Sequence, residues 1–148
     1  MYIHKIAVLG SGAWGTALAH MLAGRHPRVV QWVREPDVEA DINERHENTR
    51  FLPGILLHPA LRASVDPHEA LDGADMVVNV IPTQFIRATW LEIGPEHLPS
   101  DAVVINASKG IEQETLYLVS QIFDELFPSW ISSRFCVLSG PSFAEEAA

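Results

Sequence analysis

The sequence predicts an α/β fold of the doubly wound kind, a mostly parallel sheet with helices on both faces. Two observations lead there. Short apolar runs recur along the chain and are unbroken rather than alternating, as strands buried on both faces require. Between them lie stretches whose apolar residues follow helical spacing. Alternation of this sort implies parallel strands, and right-handed crossovers make 3-2-1-4-5-6 the expected strand order.

Each element has its own justification. Ile3–Leu9 is a β-branched apolar run that Gly10 ends. Ala13–Ala23 places Trp14, Ala17, Leu18, Met21 and Leu22 on one helical face, with Gly24 as its stop. Val29–Val33 is the second strand. Pro36 suits the first turn of a helix, on which Val38 and Ile42 share a face. The stretch from His46 to Pro59 has no period and reads as a loop. Leu61–Val65 is a weak third strand. Asp66-Pro67-His68-Glu69 joins a capping carboxylate, a first-turn proline and a Glu three residues on, which starts a short helix closed by Gly73. Met76–Ile81 is the fourth strand. Phe85, Ile86, Thr89, Trp90 and Ile93 line a helix stopped by Gly94-Pro95. Ala102–Ala107 is the fifth strand. Leu116, Val119, Ile122, Phe123 and Leu126 line a helix ending at Pro128, and Phe135–Leu138 is the sixth strand.

Composition bounds the function. The 148 residues carry a net charge of −9, which argues against nucleic acid or an anionic membrane as partner, because both need a positive footprint. The length suits one domain, residues 1–148, able to bury roughly 70% of its unfolded surface. The lone cysteine, Cys136, excludes an internal disulfide and a cysteine-based zinc cluster. It reads as a packing residue inside a strand. A reducing cytoplasm is the expected compartment. No apolar run reaches the roughly 18 residues of a membrane-spanning helix. The histidines are scattered without metal-ligand spacing, so no metal site is expected.

Gly10-Ser11-Gly12-Ala13-Trp14-Gly15 fits G-x-G-x-x-G. The pattern follows a strand and opens a helix, the context that turns it into a dinucleotide-binding turn of the Rossmann type. Gly10 allows the tight turn. Gly12 removes the side chain that would hold a pyrophosphate off the backbone, and Gly15 lets the helix close on the strand. The first helical N–H groups and the positive helix end then face phosphate, and Trp14 is placed to wall the site. At the end of the second strand, Arg34 suits a 2′-phosphate or the adenine face, whereas Glu35 suits the ribose hydroxyls. NAD and NADP therefore both stand.

The remaining chemistry lies past the later strands, on the edge where open α/β sheets bind ligands. Lys109 follows the fifth strand and can hold a phosphate or polarise a carbonyl. Lys5, at the entry to the first strand, reads as solvated. Pro82-Thr83-Gln84 follows the fourth strand, either facing a nicotinamide or starting a helix. Ser139-Gly140-Pro141-Ser142-Phe143 follows the sixth and offers hydroxyls and N–H groups to a substrate.

Taken together, several stretches resemble the bacterial NAD(P)-dependent glycerol-3-phosphate dehydrogenases. They are the glycine turn with Thr16-Ala17-Leu18-Ala19, Asn43-Glu44-Arg45-His46-Glu47-Asn48, Phe51-Leu52-Pro53-Gly54, Ala107-Ser108-Lys109-Gly110-Ile111-Glu112 and Leu138-Ser139-Gly140-Pro141-Ser142-Phe143-Ala144-Glu145-Glu146. The resemblance covers essentially the whole chain. It implies hydride transfer between NAD(P)H and dihydroxyacetone phosphate, giving sn-glycerol 3-phosphate for glycerophospholipid synthesis. It implies that Ser11, Ala13 and Trp14 lie against the cofactor and that Arg34 and Phe51 flank its adenosine end. Lys109 would touch cofactor and substrate, Gly140 and Ser142 would hold the substrate, and Ala144 would meet the cofactor again. Family members carry a further helical domain holding the principal acid/base lysine. The expectation is a cofactor domain that binds dinucleotide but turns over little alone, with the oligomeric state, a homodimer included, left open. Two other readings remain: a non-catalytic dinucleotide sensor, and the cofactor domain of another two-domain dehydrogenase acting on a hydroxy or sugar acid.

Overall fold

The computed structural model describes residues 2–140 and 143–148. Six strands form one parallel sheet: β1 (Ile6–Leu9), β2 (Val29–Trp32), β3 (Leu61–Ser64), β4 (Met76–Asn79), β5 (Val103–Asn106) and β6 (Phe135–Val137), in the order β3-β2-β1-β4-β5-β6. That is the expected order of a Rossmann-like α/β fold. The helices are α1 (Ala13–Ala23), α2 (Pro36–Ala40), α3 (Pro67–Leu71), α4 (Thr83–Ile93), α5 (Val119–Leu126) and α6 (Ala144–Ala147).

The sheet divides the core in two because successive strand residues point to opposite faces. Ile6 and Val8 face the layer that holds Leu18 and Ala19 of α1 and Val38 of α2. Ala7 and Leu9 face the layer that holds Ala70 and Leu71 of α3, Ile86 and Trp90 of α4 and Ile122 and Phe123 of α5. Trp90 is fully buried and meets Phe127 edge-on at 5.0 Å, an arrangement aromatic quadrupoles favour.

Local signals hold in detail. Asp66 accepts the His68 N–H at 2.9 Å and caps α3. The stretch around Asn48 is a loop, and the π-helical turn Asp41–Arg45 before it is held to β3 where Asn43 exchanges two hydrogen bonds of 2.9 Å with the backbone of Ala63.

Four expectations are corrected. Lys5 is not solvated: it is 2% exposed, and Nζ donates to Glu69 O at 2.7 Å and Asp72 O at 2.6 Å. These carbonyls close α3, where a helix leaves acceptors unpaired and favours a cation. Burial, reinforced by the Arg28 charge, lowers the Lys5 pKa. Leu116 does not line a helix. It is exposed with φ +60°, and α5 begins only at Val119. Phe85 stands exposed at the start of α4. Cys136 is exposed as well, since β6 ends the sheet order.

Candidate functional site: a glycine turn between two cavities

β1 ends at Leu9 and α1 begins at Ala13, so the chain reverses over three residues. The three glycines of the motif serve different ends. A Cβ on Gly10 would sit 2.8 Å from the Val80 carbonyl oxygen, at φ +137°. One on Gly15 would sit 2.6 Å from the Gly10 carbonyl oxygen. Both glycines are therefore demanded by packing against the fold itself. A Cβ on Gly12 would meet nothing within 4 Å, and its φ of −64° suits any residue. Nothing in the described chain needs that side chain removed, so the space above Gly12 is where a ligand backbone can come close.

The first intrahelical bond of α1 runs from Thr16 N–H to Gly12 O at 2.9 Å. The N–H groups before it belong to the helix end that has no intrahelical acceptor and carries partial positive charge. No acidic side chain occupies the first turn of α1 to compete for them.

On one side of the turn lies a cavity of about 270 Å³ bounded by Gly10, Ser11, Gly12, Arg34, Glu35 and Phe51. Arg34 lies 5.9 Å from the Trp32 ring centroid and pairs with Glu92 at 3.0 Å, both charged groups being exposed. Glu35 Oε2 is buried and has no hydrogen-bond partner among the described residues. A buried carboxylate oxygen left unpaired is costly, and a hydrogen-bond donor entering this cavity would satisfy it.

On the other side, Lys109 and Gly140 line a cavity of about 470 Å³ with Asn106 and Ser108. They also share a smaller one of about 220 Å³ with Trp14. The lysine loop is clamped from α4. Thr83 Oγ1 donates to Lys109 O at 2.7 Å, and Gln84 Nε2 donates to Ile111 O at 2.7 Å. The Gln113 N–H returns a bond to Gln84 Oε1 at 2.9 Å. Arg87 grips Glu112 with two parallel bonds of 2.9 and 3.0 Å and reaches Glu125 at 2.6 Å. Those bonds, with one from Thr115 Oγ1, hold the Glu112 carboxyl below its usual pKa. The bonds from Glu112 and Glu125 raise that of Arg87. Ser108 Oγ donates to Ile81 O at 2.6 Å, tying β5's end to β4's.

The fold thus gathers Gly10, Ser11, Gly12, Arg34 and Phe51 about one cavity, and Trp14, Lys109 and Gly140 about another. Ala13 opens α1, and Ala144 opens α6, which lies against α1. Gly15 stands behind the turn as packing. Ser142 lies outside the described residues. Sequence reasoning passed over the buried polar residues under the turn, Thr16, Gln31 and Asn48. Gln31 carried a signal, a lone amide inside the apolar run Val29–Val33. Among the described residues, no group of three or more His, Cys, Asp or Glu gathers to hold a metal, and no helix is long and apolar enough to cross a membrane.

Comparison with known proteins agrees with this architecture. Residues 5–148 match the family model described as the NAD-dependent glycerol-3-phosphate dehydrogenase N-terminus. The chain is 49% identical over 142 residues to a glycerol-3-phosphate dehydrogenase [NAD(P)+] of Nitratidesulfovibrio vulgaris, covering 96% of this chain and 42% of that protein. It is 43% identical over 144 residues to the corresponding protein of Citrifermentans bemidjiense, covering 97% of this chain and 43% of the relative. The solved glycerol-3-phosphate dehydrogenase of Saccharomyces cerevisiae superposes with a TM-score of 0.84 at 31% identity, over 99% of this chain and 44% of that one. The chain therefore spans under half the length of the relatives it matches. With the turn, the two flanking cavities and this match over nearly all its residues, the chain belongs to the family of NAD-dependent glycerol-3-phosphate dehydrogenase N-terminal domains.

Proposed function

We propose that this chain is the cofactor-holding part of an NAD(P)-dependent sn-glycerol-3-phosphate dehydrogenase that acts on dihydroxyacetone phosphate. The observation that carries the reading is the open approach above Gly12, flanked by the Glu35 cavity on one side and the Lys109 crevice on the other. The turn amides and helix end take the diphosphate. Glu35 accepts from the adenosine ribose, with Arg34 and Phe51 against the adenine end. Arg34 could also pair with a 2′-phosphate, so NAD and NADP both stand. Bound NAD(P)H supplies the hydride for a carbonyl carbon. Lys109 donates hydrogen bonds to the substrate carbonyl or phosphate, and Gly140 and Ser142 hold the substrate beside it. Trp14 shields this end from water, and Ala144 closes on the cofactor. Because the relatives are more than twice as long, efficient turnover is assigned to the longer protein.

Calorimetric titration with NADH and NADPH tests this, with and without dihydroxyacetone phosphate. Binding of a reduced coenzyme, tightened by the substrate, is expected. No heat from either coenzyme at millimolar concentration rejects the reading. Binding indifferent to substrate turns the chain into a dinucleotide-reporting module instead.

A further inference from the structure

We propose that Thr16, Gln31 and Asn48 form a buried latch that aims the amides of the glycine turn outward, with the Thr16 hydroxyl as its hub. The inference rests on the dinucleotide reading above and deepens it. All three residues are 0% exposed. They come from α1, β2 and the loop that follows α2, and they meet directly beneath the turn.

Gln31 Nε2 donates to Gly10 O at 2.8 Å and to Thr16 Oγ1 at 3.0 Å. Asn48 Nδ2 donates to Ser11 O at 3.0 Å and to Thr16 Oγ1 at 2.8 Å. Asn48 Oδ1 accepts the Phe51 N–H at 3.0 Å, which settles which end of that amide is nitrogen. An amide nitrogen only donates, so the hydroxyl accepts from both amides and must send its own proton elsewhere. Ser11 O, at 3.3 Å, receives it. Three side chains thus pull on two adjacent carbonyls, those of Gly10 and Ser11.

The consequence lies on the opposite side of the peptide planes. In a trans peptide the N–H points away from its carbonyl. With Gly10 O and Ser11 O held inward, the N–H groups of Ser11 and Gly12 face the open space above Gly12. Gly10 and Gly15 leave room for the close reversal, which has no space for a Cβ at either position. Burying three polar side chains here costs desolvation that apolar residues would avoid. What the polar set adds is direction, fixed before the ligand arrives. Through Phe51, Asn48 also ties this aim to the wall of the Glu35 cavity.

Thr16→Val removes the hydroxyl and keeps the shape, whereas Thr16→Ser keeps the hydroxyl. Affinities for ADP and for adenosine are measured by NMR titration on wild type and both variants. Thr16→Val is expected to weaken ADP about tenfold or more while adenosine changes by less than about threefold, since a hydrogen bond to a charged group is at stake only for ADP. Thr16→Ser is expected to stay within about threefold of wild type for both. A hydroxyl that serves folding alone would move both ligands together, whatever it does to the unfolding midpoint, and that result overturns the latch. So does wild-type ADP affinity in Thr16→Val. If wild type itself binds neither ADP nor NADH, it is the dinucleotide reading that fails. Should Thr16→Val not fold, wild type decides. Large shifts of the Ser11 and Gly12 amide resonances on saturation with ADP support the aim, and unmoved resonances overturn it.

Discussion

Gly12 and Gly15 are three positions apart and predict opposite phenotypes. Gly12→Ala places its methyl in open space, so urea unfolding is expected to stay within about 0.5 kcal/mol of wild type while coenzyme affinity drops. Gly15→Ala drives a methyl to 2.6 Å from the Gly10 carbonyl oxygen, and a destabilisation of about 1–3 kcal/mol is expected. Denaturation and coenzyme titration on the two variants separate a ligand glycine from a packing glycine. At the far end of the cavity, Glu35→Ala is expected to weaken NADH more than NADPH, and Arg34→Ala to do the reverse, each by about threefold or more. Parallel titrations check both. Much of this site was legible, because the lack of a side chain at Gly10, Gly12 and Gly15 can be seen in the letters alone. The meeting of Thr16, Gln31 and Asn48 was not, since Gln31 lies 15 and Asn48 32 positions from Thr16 along the chain. Only the fold makes them neighbours.

Among the elements, α4 has a second task beyond covering the sheet, which is to hold the loop that carries Lys109. Removing the guanidinium with Arg87→Met leaves the nearly buried Glu112 carboxylate without its main partner. A loss of about 1–3 kcal/mol is expected, discounted for the part of Arg87 that solvent reaches. The same pair sets an acid limit. The Glu112 carboxyl is held below its ordinary value of 4.5 in the fold, by Arg87 first and Thr115 second. Its contribution is therefore complete above that value and lost as pH falls through the lower folded-state pKa. Unfolding followed from pH 7 down past pH 4.5 should fall more gently in Arg87→Met than in wild type. The strands were legible as elements because burial on both faces leaves a continuous apolar signature. Leu116 was not, since it fits the helical spacing of α5 while its backbone is left-handed. The Leu116 N–H bonds back to Glu112 O at 2.9 Å, in a loop anchored by the Arg87 pair. A tertiary clamp has overridden a local pattern there.

The whole molecule brings the ends of β1, β2, β4, β5 and β6 to one edge, the edge where open α/β sheets bind ligands. On the function proposed above, a chain of net charge −9 would meet an anionic cofactor through oriented amides at short range rather than through a basic surface. The crossover order was readable from the alternation of elements alone, but the burial of Lys5 was not, because it depends on where α3 ends over the edge of β1. That burial has a practical result. Lys5 and Lys109 are the chain's only lysines, and Lys5 is buried with its Nζ donating to Glu69 O and Asp72 O. Lys109 is exposed whereas Lys5 is buried, so a mild acylating reagent should reach the Lys109 side chain first. Peptide mass mapping should find the tag on Lys109 long before Lys5, and saturating coenzyme should slow its attachment, turning the crevice into a footprint that can be read without any assay of turnover.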